Sequence, residues 1–210
     1  MFHINNQGEK RICRATVGKC RFSKQLLETP MGNFTFDRDV YKQTIQKATP
    51  IEPLLSDIVN KLDGSMSGLE FKFKTQESLA EKILERRSIS DANSAWDIVR
   101  FTAVFETDSF WNKQKAVLDE LQNQDFTIAK IKQSWNNDGT YKGTNVKLLN
   151  PKGVQFELQF HTPESLEAKQ KAHKIYEILR RKRDGDPKEN AILEQQMQEI
   201  FLTVPIPPEL

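Results

Sequence analysis

The segment VQFELQFHTPESLEAKQKAHKIY, residues 154–176, constrains the fold more than any other part of the chain. Val154, Phe156, Leu158 and Phe160 alternate with Gln155, Glu157, Gln159 and His161. A period of two sends the first set to one face of a strand and the second to the other, so an apolar core face backs a face carrying an acid, amides and an imidazole. Thr162 and Pro163 then read as the N-cap and first residue of a helix, because Thr can accept from N–H groups that have no intrahelical partner and Pro has no N–H to lose. That helix carries Leu166, Ala172, Ile175, Tyr176 and Leu179 at helical spacing, with His173 beside the stripe.

The same reading applied elsewhere supplies the rest of a sheet. In GLEFKFK, Leu69, Phe71 and Phe73 alternate with Glu70, Lys72 and Lys74, which predicts a strand with two lysines on one face. Ser78 followed by Glu81 reads as a capping box opening a helix through Leu79 and Ile83, and that turn also carries Lys82. Lysines at a strand end and a helix N-terminus suit an anion, since the orphan N–H groups and the dipole already favour one; a solvated charged strand is the alternative. Asp97 precedes IVRFTAVFE, a β-branched and aromatic run that predicts a central strand. Parity groups Asp97 with Val99 and Phe101, so it reaches the polar face only if the strand starts irregularly. Phe110, Trp111, Val117, Leu118 and Leu121 mark a helix, Phe126 to Ile131 a strand, and WNNDGT a loop. Tyr141, Gly143, Asn145 and Lys147 share one parity and Val146 and Leu148 the other; a turn at residues 150–153 then makes an antiparallel hairpin with the strand at Val154.

Toward the ends the patterns are helical or polar. Phe36, Val40, Tyr41 and Ile45, then Leu54, Leu55, Ile58, Val59 and Leu62, predict two helices, the second closed by Asp63 and Gly64. Residues 1–35 read as a loosely packed arm, where His3, Cys13 and Cys20 could hold zinc only with a fourth ligand that the arm does not display. Residues 184–187 break the helix after a basic run, a last helix carries Leu193, Met197, Ile200 and Phe201, and VPIPPEL is extended. The expected organisation is an arm (1–35), a main α+β domain (36–186) and a C-terminal helix and tail (187–210). Its centre is a mixed sheet of about five strands covered by helices on one face, the other face lining a cleft.

Thirty-one Lys and Arg against 29 Asp and Glu leave a formal charge of +2, so bulk charge does not announce a nucleic-acid binder and any anion site must come from local placement. No run of about 18 apolar residues exists and MFHINNQGEKRICR lacks the apolar centre of a signal peptide, which predicts a cytoplasmic protein with no membrane partner. The two cysteines are too few for a disulfide framework. The polar face gathers Lys72, Lys74, Tyr141, Lys147, Glu157, Gln159 and His161, a set in which cations could grip a polyphosphate while a carboxylate serves a divalent metal. Mg²⁺ needs only one or two protein carboxylates, which Asp97 and Glu157 could supply from neighbouring strands. Tyr141, near Gly143, is either a flat surface for a nucleobase or a residue of the hairpin rim.

These residues, in this order, resemble the synthetase domain of the RelA/SpoT family, which transfers pyrophosphate from ATP to a ribose 3′-hydroxyl. KFKTQESLAEK resembles the family's R-x-K-x-x-x-S-x-x-x-K stretch, which implies ATP contacts from Lys72, Lys74, Ser78 and Lys82. DIVRFTAV resembles the strand that opens with the metal-binding aspartate, here Asp97. YKGTN is similar to the acceptor-base loop Y-R-G-x-H and implies stacking by Tyr141, with Asn145, Lys147, Gln159 and His161 as the other acceptor contacts. FELQFHT resembles E-I-Q-I-R-T, which makes Glu157 the catalytic carboxylate and a second metal ligand; AHKIY matches the later helix with His173 and Tyr176. Lys72 stands where the family usually has an adenine-stacking arginine, and Asn145 and His161 stand where it has His and Arg. The resemblance implies a nucleotidyltransferase-like synthetase fold and a Mg²⁺-dependent pyrophosphokinase acting on GDP or GTP, without room for the hydrolase and regulatory regions of long members. It also points to the small toxic members of phages and toxin–antitoxin loci, some of which act on the 3′ end of tRNA and have an antitoxin partner. Lys169, Lys171, Arg180, Arg181, Lys182 and Arg183 form a candidate basic edge for tRNA. A non-catalytic nucleotide-binding or interaction module is the reading from another class.

Overall fold

The computed structural model describes residues 2–4, 10–12, 24–29, 32–79, 98–136, 139–181 and 186–208, with side chains from Tyr41 onward except those of Arg180 and Arg181. Two antiparallel hairpins come first, β1 (Phe2–Ile4) with β2 (Lys10–Ile12) and β3 (Lys24–Thr29) with β4 (Gly32–Asp37). Helix α1 (Arg38–Ala48) begins only after β4, so Phe36 belongs to a strand and not, as its spacing from Val40 suggests, to the helix. Helix α2 (Ile51–Lys61) ends where expected: Asp63 takes φ 56° and the Gly64 amide donates to the Val59 carbonyl at 2.9 Å. A Cβ at Gly64 would enter the ring of Phe105, so the turn also requires a residue without a side chain.

The main sheet has five strands in the order β5 (Ser65–Ser67), β6 (Arg100–Val104), β9 (Gln155–His161), β8 (Gly143–Leu149) and β7 (Thr127–Ser134). It is mixed: β6 and β9 are parallel and the other pairs antiparallel. The parallel pair needs a long crossover, and α3 (Phe110–Asn123), β7 and β8 provide it. Val99, Phe101, Ala103, Val146, Leu148, Phe156, Leu158 and Phe160 pack on α2 residues Ile51, Leu55, Ile58 and Val59 and on α3 residues Phe110, Val117, Leu118 and Leu121. Edge-to-face pairs such as Phe101 with Phe156, ring centres 6.0 Å apart, fix this core, and removing one such ring would cost about 3–5 kcal/mol.

Residues 69–74 depart from the expected strand. Gly68 is left-handed at φ 64° and Leu69–Phe71 form a 3₁₀ turn that leaves Phe71 68% exposed. Only residues 72–74 rejoin the edge, through Arg100 N–H to the Lys72 carbonyl, Lys74 N–H to the Ile98 carbonyl and a bridge between Phe73 and Val99. Both β5 and this short segment pair with the same β6 line, and the turn absorbs the chain left over between them. The next helix starts at residue 76, where the Thr75 hydroxyl accepts from the Ser78 N–H at 3.2 Å; Thr75 is therefore the cap and Ser78 lies three residues inside.

Helix α4 (Pro163–Arg181) follows β9 directly, and α5 (Pro187–Leu202) is capped by Asp186, whose carboxylate accepts from Lys188 N–H. Ala168 and Ala172 of α4 meet Met197, Phe201 and Val204, forming a second apolar cluster that also takes in Tyr141. The α4 stripe differs from its expected form at Tyr176, which is exposed. No helix among the described residues is long and apolar enough to cross a membrane.

Candidate active site

The strand register builds the polar face in rows. Arg100 of β6, Glu157 of β9, Lys147 of β8 and Lys130 of β7 are successive partners across four strands; Thr102, Gln159, Asn145 and Lys132 form the next row. Partners across a sheet project from the same face, so a single carboxylate is flanked by cations in its row. Toward the end of β9 the face is closed over: Gln159 and Thr102 are buried and His161 has no solvent exposure, because α4 and the second apolar cluster cover them.

Glu157 is held by amides on both oxygens. Asn145 Nδ2 donates to Oε1 at 3.3 Å and Gln159 Nε2 to Oε2 at 3.0 Å. Lys169 of α4 donates to Gln159 Oε1 at 2.6 Å, and Tyr141 donates its hydroxyl proton to Asn145 Oδ1 at 2.8 Å. Since that proton is used, the Tyr141 oxygen accepts from His161 Nε2–H at 3.0 Å, and Nδ1 then accepts from the Ser165 hydroxyl at 2.8 Å, the nearer of that hydroxyl's two acceptors, the Thr162 carbonyl lying at 3.2 Å. The Thr162 N–H donates to Ser165 Oγ and the Ser165 N–H to Thr162 Oγ1, so the helix cap foreseen at Thr162 also anchors the far end of this chain. Gly143 makes room for it: a Cβ there would lie 2.7 Å from His161 Cε1 and 2.8 Å from the Tyr141 oxygen.

Burial holds His161 neutral, its pKa lowered to about 3, with the charge of Lys169 acting in the same direction. Burial raises the Tyr141 phenol, Glu157 adds to that, and Arg100 opposes it. Lys169 is brought down to about 8 by burial and by Arg100, against the pull of Glu157.

Of the residues singled out by sequence, Tyr141, Asn145, Lys147, Glu157, Gln159 and His161 come together on this face. Lys72 pairs with Glu52 of α2 at 2.7 Å and lies against the Phe73 ring. Lys74 sits beside Ile98 at the start of β6, with the Tyr41 hydroxyl on its carbonyl. Lys82, Asp97, Cys13, Cys20, Lys182 and Arg183 lie outside the described residues, as do the side chains of His3, Arg180 and Arg181. His173 is exposed. Lys169 is not part of a solvent-facing basic edge: it points into the site, while Lys171 is paired with Glu167. The tyrosine ring is not open on all sides, since Phe201 lies 6.0 Å from it at 57°. Arg100 escaped the sequence reading although IVRFTAV displays the signal: Arg100 and Thr102 take the parity opposite to Val99, Phe101 and Ala103. Among the described residues no group of three or more acidic, His or Cys side chains gathers as a metal site. Glu157 alone, with lone pairs beyond those the two amides use, fits the one or two carboxylates that Mg²⁺ asks of a protein.

A mixed five-stranded sheet with helices over one face and a cation-flanked carboxylate on the other has the architecture of a nucleotidyltransferase-like fold. No protein-family model and no curated protein matches the chain. Solved structures do. The type VI effector Tas1, in the crystal structure of its complex with its immunity protein, is 21% identical at a TM-score of 0.56, over 78% of this chain and 93% of that one. Small alarmone synthetase 1 from Bacillus subtilis bound to its product pppGpp is 15% identical with a TM-score of 0.51, over 76% and 86% of the two chains. A GTP pyrophosphokinase family protein from Streptococcus pneumoniae is 19% identical with a TM-score of 0.52, over 78% and 84%. The fold is that of the RelA/SpoT-like small alarmone synthetases.

Proposed function

We propose that this chain is a cytoplasmic nucleotide pyrophosphokinase that moves the terminal pyrophosphate of ATP to the ribose 3′-hydroxyl of GDP or GTP. The observation that carries the reading is Glu157, clamped by two amides and set between Arg100 and Lys147 on the open half of the polar face. A carboxylate so placed can take the proton of a 3′-hydroxyl as its oxygen attacks the β-phosphorus of ATP; the α–β bridging bond breaks and AMP leaves. Arg100 and Lys147 neutralise charge on the phosphates in flight, and Lys72, Lys74, Ser78 and Lys82 serve ATP, with Lys72 exchanging Glu52 for a phosphate. Mg²⁺ held by Glu157, Asp97 and the phosphates would supply further neutralisation of the leaving group. Tyr141, its hydroxyl held by Asn145 and His161, receives the acceptor base on the part of its ring away from Phe201.

A second reading makes the acceptor the 3′ end of tRNA and the protein a toxin with an antitoxin partner. What favours it is the continuation of the rows onto β7, where Lys130 and Lys132 are exposed beside Lys147 and Asn145 at the sheet edge. The likeness to Tas1, which forms a complex with an immunity protein, supports the partner. Incubation with terminally labelled ATP, Mg²⁺ and GDP, GTP, ATP or deacylated tRNA separates the acceptors. Label on a guanosine nucleotide supports the first reading, and label on tRNA with binding that falls steeply with salt supports the second. Glu157→Gln is expected to lose roughly 10²–10⁴-fold in turnover while still binding ATP. Full turnover in that variant overturns the role of Glu157, and ATP binding without any transfer identifies a non-catalytic nucleotide-binding module.

A further inference from the structure

Gln159 lies between a group that only donates and a group that only accepts. An ammonium has no lone pair, so Lys169 admits the amide oxygen alone, and at 2.6 Å that is what it meets. The amide nitrogen is thereby turned toward Glu157 Oε2, 3.0 Å away. Rotating the amide by half a turn would set NH₂ against the ammonium and the amide oxygen against the carboxylate, losing both bonds at a position that is almost fully buried. The other amide, Asn145, has a one-way partner on one side only, Glu157 Oε1 at 3.3 Å, since the hydroxyl of Tyr141 on its oxygen is not a donor by necessity as an ammonium is.

We propose that Lys169 is a positioning residue: acting through the Gln159 amide, it holds the Glu157 carboxylate in the orientation that takes the proton from the acceptor hydroxyl. This rests on the pyrophosphokinase reading. Its location agrees with the role, since the residue projects from α4 beside Ala168 and Ala172, both buried in the apolar cluster, so its backbone is fixed over the site.

The test compares Lys169→Met, Gln159→Met, the double variant and Lys169→Arg by label transfer from ATP, with thermal melting to establish that each is folded. Lys169→Met should lower kcat by about 10- to 100-fold, a part of the roughly 10²–10⁴-fold that a placed base contributes, with KM for ATP and acceptor changed less than about threefold. Because Lys169 acts through Gln159, Gln159→Met and the double variant should show the same loss, and Lys169→Arg should recover most of it. Losses that multiply in the double variant, or an unchanged kcat in Lys169→Met, overturn the proposal. A readout that needs no turnover separates it from the functional reading. The side-chain NH₂ of Gln159, assigned by NMR, should show one strongly downfield proton in the wild type and in Lys169→Arg that is lost in Lys169→Met. Persistence of that signal in Lys169→Met overturns the positioning contact, whereas a wild type that keeps the signal and transfers no label overturns the pyrophosphokinase reading alone.

Discussion

His161 shows how far a residue's chemistry is set by what covers it. As one of the alternating polar residues of β9 it should meet solvent, yet it is fully enclosed, donates to Tyr141 and accepts from Ser165. Its pKa falls from 6.5 to about 3 on folding. Between those values the unfolded chain binds a proton that the folded protein refuses, so stability rises with pH across this window and is lost as pH falls through it. Folded and unfolded states are both neutral here above the upper limit, where the effect vanishes. Unfolding measured in urea from pH 7 down to 3 should therefore show an acid slope that His161→Gln lacks, the difference approaching about 1.4 kcal/mol per pH unit. Equal slopes in the two proteins would mean that the imidazole is protonated in the folded state. The groups facing His161 are Tyr141, Ser165 and, at longer range, the cation of Lys169.

At the scale of elements, the junction between β9 and α4 does two jobs with one set of atoms. Thr162 and Ser165 cap the helix reciprocally, and the same Ser165 hydroxyl terminates the chain of hydrogen bonds that runs through His161, Tyr141 and Asn145 to Glu157. Thr162→Ala removes the cap and a contact to Glu164 but leaves the partner of His161 in place, and should cost about 1 kcal/mol with kcat preserved. Ser165→Ala removes the partner of His161 as well, leaves a buried nitrogen unsatisfied, and should cost roughly 2–3 kcal/mol and slow turnover. Melting curves and label transfer on the two variants check this; equal effects would show that the cap is the whole role of the junction. The Thr–Pro start of this helix was legible because capping depends on residues a few positions apart. The 3₁₀ turn at Leu69–Phe71 was not, although its alternation matches that of β9. What differs is Gly68 in the left-handed region and the demand that two separate segments pair with one strand.

For the molecule as a whole, the C-terminal tail closes the fold over the end of the sheet. Lys142 is 1% exposed, and its ammonium donates to the Val204 carbonyl at 2.7 Å, while Trp111 Nε1 donates to the Pro207 carbonyl at 3.3 Å. With Phe201 against Tyr141, helix α5 and the tail tie α3, the Tyr141 loop and α4 together. Removal of residues 204–210 would take that carbonyl from the Lys142 ammonium, at a cost of up to roughly 1.5–3 kcal/mol from that bond. The same truncation in a Lys142→Met background should cost less by about that amount, as a double-mutant cycle in denaturant would measure. A truncation equally costly in both backgrounds would show that Lys142 contributes nothing to holding the tail.

The sequence by itself determined the alternation of β8 and β9, the hairpin between them, the cap of α4, the closing turn of α2 and the grouping of Tyr141, Asn145, Lys147, Glu157, Gln159 and His161. All of these rest on periodicity or on contacts between near neighbours in the chain. Only the tertiary structure decided that α4 delivers Lys169 to Gln159, that Arg100 lies beside Glu157, that Glu52 holds Lys72 and that the tail reaches Lys142. These contacts join elements whose relative positions come from packing apolar faces. A polar side chain's partner across such a gap depends on where those faces come to rest, and no local pattern records it.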